Sequence, residues 1–466
     1  MITYKDFSND EHSDAYRARK LLDQYDGNQT KWVEARLNGA IRGGWGYRYK
    51  WLERGFEPHC RNIVKPIVEK SANLFQNPAK YEILPSYDAK AQPVVDAKLH
   101  QILTAGDFHE FAQQLDRITR LLRSSCVYQT KVVPDGTMTE GGIYRFNEDR
   151  GDQWVPMLLH VGNSVVKMNL ARTKITELAY LTSGTPGDFN GWSYMYVSSD
   201  VIEERLVEHN KESVIPGTRR INPDGLVTAS MFYDTDKPRA PHVWAKVPED
   251  IGSFQDMFNT HLTDLAFALA TQKGQTLIIT NAKIQSTDEP SYSISGIEST
   301  QAQPNEEAAI GGIGSVMALS SPPNATQAPT ADFKGPSVDL KSHYDVMAGL
   351  IEDIAFDWSV RLKMSGQGTA SSGFQLVVEE MDNLELRQTR AKSFQGAMRR
   401  FYDIMSAMYP ELTDGMLQVV FAPPSLPVNN QEELNLWTQK IEKNLASVVD
   451  YFMAVDNLSQ EEAIAK

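Results

Sequence analysis

The sequence predicts an α+β fold, mostly helical, with its strands gathered in the first half of the chain and its longest helices in the second. Three observations carry this. A strand-rich stretch runs from Val127 to Val197, with Pro- and Gly-bearing turns between several of the runs. Two amphipathic helices flank an insert, 275–336, that is rich in Gly, Pro, Ser and Thr. A further helical pattern over 374–408 would be about 50 Å long, well beyond the three turns of an average helix. With 466 residues, 41% of them hydrophobic, the chain has material for two or three ordinary domains or one elongated subunit.

In chain order, Arg61–Phe75 reads as a helix, with Ile63, Ile67, Ala72 and Leu74 near helical spacing and Asn77-Pro78 as its stop. Tyr81–Leu84 is a short strand. Helices are expected near 92–105 and 108–125, broken at Gly106-Asp107. Strands follow at Val127–Val133, Val155–Leu159, Val165–Leu170, Glu177–Leu181 and Tyr194–Val197. Phe254, Met257, Phe258, His261, Leu262, Leu265 and Leu269 then make one apolar stripe, ended by Gly274. The insert holds one clear strand, Thr276–Thr280. A second helix begins near Ser337, where Leu340, Tyr344, Met347, Ile351, Ile354 and Trp358 follow the 4-3-4-3-4 spacing of a seam for a neighbouring helix. The link Met364, Ser365, Gly366, Gln367, Gly368, Thr369, Ala370, Ser371, Ser372 and Gly373 reads as weakly structured. The long helix carries Val377, Met381, Leu384, Ala391, Phe394, Met398, Phe401, Met405 and Met408 on its apolar face, and Pro410 stops it. A strand at Leu417–Phe421 and helices near 430–453 and 459–466 complete the chain. Ser459 with Glu462 forms a capping box.

Sites of chemistry are sparse. The Gly366–Gly373 stretch is followed by Phe374 and Gln375, not by the Lys and Ser/Thr that a phosphate-cradling loop requires. Gly311-Gly312-Ile313-Gly314 lacks the strand–turn–helix setting of a dinucleotide site. His59 and Cys60 are adjacent and point different ways, which suits a structural Cys and a surface His rather than a metal site. His261 reads as a packed or inter-subunit residue. There is no HExxH and no Gly-x-Ser-x-Gly elbow. Carboxylate pairs such as Glu352-Asp353 and Glu379-Glu380 fall mainly off the apolar seams and read as solvated faces. No catalytic residue, cofactor or metal is expected. Two cysteines make a disulfide framework unlikely to be the organising device and fit a reducing cytoplasm. No apolar run approaches about 18 uncharged residues, so no membrane partner is expected, and the start lacks the apolar core of a signal peptide. Mean hydropathy is −0.39. The formal net charge is −14 with no Lys/Arg-dominated window, which argues against a tight nucleic-acid grip, though many cytosolic proteins are as acidic.

Several loose motifs, in this order, resemble the portal proteins of tailed double-stranded DNA phages. Arg61 to Phe75 (RNIVKPIVEKSANLF) looks like that family's early helix. Asn222-Pro223-Asp224-Gly225-Leu226-Val227, with Met231-Phe232-Tyr233, is similar to the segment before its first stem helix, and Asp250–Thr271 to that helix itself. Ser371-Ser372-Gly373-Phe374-Gln375-Leu376 resembles the opening of the long helix after the tunnel loop, and Leu458-Ser459-Gln460-Glu461-Glu462-Ala463 the start of a C-terminal helix. The resemblance covers most of the chain. It implies a wing over 1–248, returning at 374–425, stem helices at 249–274 and 337–362, a clip at 275–336, a tunnel loop at 363–373 and a short crown at 426–466.

The same resemblance implies a ring of about twelve copies at one capsid vertex of the virion, made in the host cytoplasm. Its implied partners are the terminase large subunit, a head–tail adaptor, the major capsid and scaffolding proteins, and double-stranded DNA in transit. Asp256, Asp264, Glu352, Asp353 and Asp357 are candidates for an acidic channel wall. Arg361 and Lys363 lie beside the loop as weak phosphate contacts. The alternatives are another structural virion or ring-assembly protein without a DNA channel, and an enzyme with scattered acidic residues.

Overall fold

The computed structural model describes residues 1–42, 58–84, 108–132, 153–273 (save 189 and 223), 276–280, 283–284, 319–320, 330–334, 340–361, 381–408, 416–422, 437–443, 447 and 449. The fold is mixed α and β. It divides into two compact units. The first comprises Met1–Gln29, Asn62–Gln255 and Leu350–Lys466, and the second Thr30–Arg61 and Asp256–Gly349.

The first unit opens with helix α1, Asp14–Asp26, capped by Ser13, whose Oγ accepts the Tyr16 amide at 3.2 Å. Gly27, at φ 91°, turns the chain out of it. (Helix α2, Thr30–Arg42, belongs to the second unit.) Helix α3 spans Val64–Ser71, shorter than the expected Arg61–Phe75. Pro66 accounts for the late start, because a residue without an N–H is tolerated only in a helix's first turn. The early end also has a cause: the Leu74 amide goes to Asp116 Oδ2 at 2.8 Å instead of continuing the helix.

Strand β1, Lys80–Leu84, pairs antiparallel with the distant strand β15, Met416–Val420. Helix α4, Phe108–Leu122, ends one residue before Arg123, which adopts φ 65° and swings the chain directly into strand β2, Ser124–Val132. β2 is the middle of a three-stranded antiparallel sheet with β3, Gln153–Leu159, and β10, Ala229–Tyr233. The other strands, β4 (Ser164–Met168), β5 (Ile175–Ser183), β6 (Trp192–Ser198), β7 (Val201–Glu208) and β8 (Lys211–Val214), form an antiparallel meander. The two-residue β9, Arg220–Ile221, also pairs with β7.

Period-two alternation explains how these layers share cores. In β10 every residue is buried. Ala229, Met231 and Tyr233 face one core, shared with Cys126, Leu159, Leu178 and Val197. Phe232 faces another, with Phe394, Met398, Phe401 and Met405 of helix α7, Met381–Met408. In β6, Trp192, Tyr194 and Tyr196 point away from that first core and receive the N-terminal segment: Ile2 is fully buried among them, and Phe7 packs edge-on to Trp192 with ring centroids 5.3 Å apart.

The first unit also holds the start of helix α5 (Asp250–Lys273) and the end of helix α6 (Leu340–Asp357). In the second unit, α5 continues, and its Thr263 and Asn259 side chains accept the backbone amides of His59 (3.1 Å) and Arg61 (3.0 Å). The insert after α5 contains β11, Thr276–Thr280, as expected. β11 pairs antiparallel with β14, Thr330–Lys334, which the sequence did not announce. A two-residue pair, β12 (Lys283–Ile284) with β13 (Leu319–Ser320), lies inside it. The helices expected near 92–105 and 459–466 lie outside the described residues; 437–442 is helical.

Candidate functional site

Among the described residues no group of three His, Cys, Asp or Glu is placed to hold a metal ion, and no helix is long and apolar enough to cross a membrane. Cys126 is buried, which pushes its thiol up, and Cys60 is exposed. A concavity of about 710 Å³ beside β5, β6 and β9 is lined by Glu177, Tyr196, Asp200, Arg219 and Arg220. It mixes both charges, and Ser199 Oγ on its rim donates to Asp200 Oδ1 at 3.1 Å.

The most organised polar arrangement is a buried ionic hub in the first unit. It grows from α4, whose inward face carries Ala112, Leu115, Asp116, Thr119 and Arg120. Asp116 and Arg120 are four residues apart, so both charges point into the core with the apolar side chains. Asp234, just past β10, accepts Arg120 Nη1 at 2.8 Å and Arg123 Nη1 at 2.7 Å on Oδ2, and Arg390 Nε on Oδ1. Arg390, fully buried on α7, bridges on to Asp116 and donates to the Ser71 carbonyl at 3.1 Å. Arg120 also donates to Ser71 Oγ at 3.1 Å and to the Trp358 carbonyl at 2.9 Å.

Burial pushes the Asp234 carboxyl up, but Arg390, Arg120 and Arg123 outweigh burial and hold it below the usual carboxylate range. For Asp116, burial is the larger effect and its carboxyl is raised in spite of Arg390. Burial brings Arg120 down to about 10, still charged at neutral pH. With both oxygens of each carboxylate occupied, the hub has no free base for proton transfer. What it does is positioning: it ties α3, α4, β10, α7 and the end of α6 to one point.

The end of α6 is fastened especially firmly. Trp358 is fully buried, with the guanidinium groups of Arg120 and Arg123 over its ring at 4.8 and 4.5 Å. Ser359 then takes φ 58°, a left-handed turn, and the Val360 amide closes on the Ala355 carbonyl at 2.8 Å.

The expected site residues distribute unevenly. The link from Lys363 to Gly373 lies outside the described residues. Of the wall candidates, Asp353 and Asp357 are exposed, and Asp264 and Glu352 are half-buried. Asp256 is only 6% exposed. Arg361 is half exposed, pairs with Asp382 at 3.3 Å and stacks on Phe356 at 4.5 Å. Along the expected seam, Ile351, Ile354 and Trp358 are buried within the single chain. Tyr344 is 54% exposed and Met347 half-buried, while the Leu340 side chain lies outside the described residues. His261 is exposed.

Sequence reasoning missed the hub. Its signal was present: Asp116 and Arg120 interrupt the apolar face of α4 four residues apart, where a helix buries charge only if partners await it. No family model and no curated protein matches this chain.

Proposed function

We propose that the chain is a portal-type subunit: a ring-forming protein through which double-stranded DNA passes at one capsid vertex of a virion, and not an enzyme. The observation that carries this reading is the opening of α6. Residues 341–346 are all exposed. Tyr344 and Val346, 54% and 59% exposed, stand two residues apart, roughly 200° around the helix. Apolar side chains exposed on opposite sides of a helix are unfavourable in water, and one partner would cover only one of those sides. A heterologous ring gives each copy a neighbour on both sides.

The order of helix, insert and helix, followed by the Gly/Ser link at 363–373, supports a portal over other rings. The charge of −14 suits a conduit from which DNA phosphates are repelled rather than held. On this reading the terminase large subunit docks first and a head–tail adaptor later, with capsid and scaffolding proteins around the ring. A ring-assembly protein without a DNA channel shares the α6 argument but gives the link no role. Deleting 366–372 separates the two. The portal reading expects rings to form and DNA packaging or retention to fail, and packaging at the normal level would refute the channel.

A further inference from the structure

The antiparallel meander of the first unit carries opposite charges at its two ends. One end holds the tip between β4 and β5, Asn169–Lys174, and the loop packed beside it. Lys174, Arg219, Arg220, Lys237 and Arg239 are exposed there, against Asp200 and Asp236. The register places them together: β5 begins at this tip, its Glu177 stands opposite Ser198 at the end of β6, and β9 pairs with the first residues of β7. The other end lies beyond the nine residues of β5, about 30 Å away. It holds Asp188 in the turn after β5, Glu208 at the end of β7, and Asp10 and Glu11 near the N-terminus, all exposed, with Lys211 opposite Glu208. Asn9 lies against Gly187, and the Glu208 side chain against Gly191, so these acidic groups share one end.

The basic tip is held in one shape. The Asn169 amide donates to the Lys174 carbonyl at 3.0 Å, and Asn169 Oδ1 accepts the Thr173 amide at 2.9 Å. Arg172, in the left-handed region at φ 55°, donates to the Pro238 and His242 carbonyls and pins the tip to the neighbouring loop. At its point stands Leu170, wholly exposed at 105%. A pre-ordered loop loses little conformational freedom when it docks. Single exposed leucines are common on protein surfaces, and the opposed charges are what give this one a direction. The chain as a whole has a net charge of −14, so the surface complementary to its basic tip is found on another copy of itself.

We propose that the two ends of the meander dock head to tail between copies of this chain: the β4–β5 tip of one copy, with Leu170 at its point, sits against the acidic end of the next. Phe7, half-buried against Trp192, is an apolar side chain at that end for Leu170 to meet. The two surfaces differ, so the contact is heterologous, the kind from which rings close. Exposed charges are individually weak and screened by salt, so the contact orients neighbouring copies rather than supplying most of their affinity. It deepens the ring-forming reading, on which it rests for its place in an assembly, by naming two surfaces that meet.

Full-length protein carrying the photo-crosslinking residue benzoylphenylalanine in place of Leu170 tests it. In low salt, irradiation should join two chains, with the crosslinks mapping to residues 7–11 or 184–188. Reversing the tip, Lys174→Glu with Arg239→Glu, or the acidic end, Asp10→Lys with Glu11→Lys, should each cut the yield by about fivefold, equivalent to ~1 kcal/mol. Salt at about 1 M, where the screening length is roughly 3 Å, should do the same to the unreversed chain. Mixing the two reversed variants, with the probe on the reversed tip, should restore the yield. Chains that stay unjoined in low salt, crosslinks that map elsewhere, or a yield indifferent to the reversals would overturn the contact. Rings formed without these crosslinks would remove this contact and leave the ring-forming reading standing, whereas the expected crosslinks from protein that forms no rings would do the reverse.

Discussion

At Asp234 three guanidinium groups meet one carboxylate that is 1% exposed. Removing the charge would strand Arg120 and Arg390 in a low-dielectric interior, a loss of about 3–5 kcal/mol for a broken buried pair. Asp234→Asn should therefore lower the urea midpoint sharply, while Arg361→Ala, at the exposed end of the same system, should shift global stability by about 0.5 kcal/mol or less. Equal effects from the two would contradict the distinction between the buried hub and the exposed Arg361–Asp382 pair. A second residue sets a pH dependence. His160 is pushed down to about 4, by burial first and then by Arg19, while its Nδ1 accepts the Gly162 amide at 3.1 Å. A depressed pKa means that the unfolded chain binds the proton first. The contribution of His160 is thus complete above about pH 6.5 and is lost as pH falls toward 4. Melting temperatures of wild type and His160→Gln, followed from pH 7 to 4.5, should converge with acidification, and parallel curves would contradict it. Such residues are hard to read from sequence because burial decides their role, and burial belongs to the fold.

Legibility at the level of elements follows how cleanly apolar residues repeat. β4, β5 and β6, rich in Val, Tyr and Leu, appear within two residues of their expected positions at every end, and Phe394, Met398, Phe401 and Met405 form the buried face of α7. β7 escaped because its centre is Glu203-Glu204-Arg205, which reads as a turn or a polar helix. In the fold, Arg205 pairs with Glu203 and with Glu212 of β8, and that pairing makes the charged strand tolerable in the sheet. α1 escaped for the opposite reason: its buried side, Ala18, Leu21, Gln24 and Tyr25, is too polar to stand out. The seam of α6 was legible as a pattern, but its later half is covered by the chain's own core, while Tyr344 in its earlier half is exposed. On the proposed reading, a neighbouring copy would sit there. Tyr344→Glu with Val346→Glu should leave the monomer's melting temperature unchanged, since neither side chain is packed, and should abolish higher-order assembly in sedimentation velocity. Assembly at wild-type levels would exclude this helix from the interface.

For the molecule as a whole, the sequence made the α+β class legible, but not the two compact units, since the second joins Thr30–Arg61 to a segment that begins at Asp256. Contacts that distant in sequence have no local signature. The first unit contains cores of its own and an ionic hub, and these account for a folded subunit. They leave Tyr344 and Val346 of α6 exposed, and on the proposed reading other copies cover them. Negative-stain electron microscopy of the purified full-length protein tests this most directly: the account predicts closed rings of roughly twelve copies around a central hole, and a uniform compact monomer across assembly conditions would contradict it.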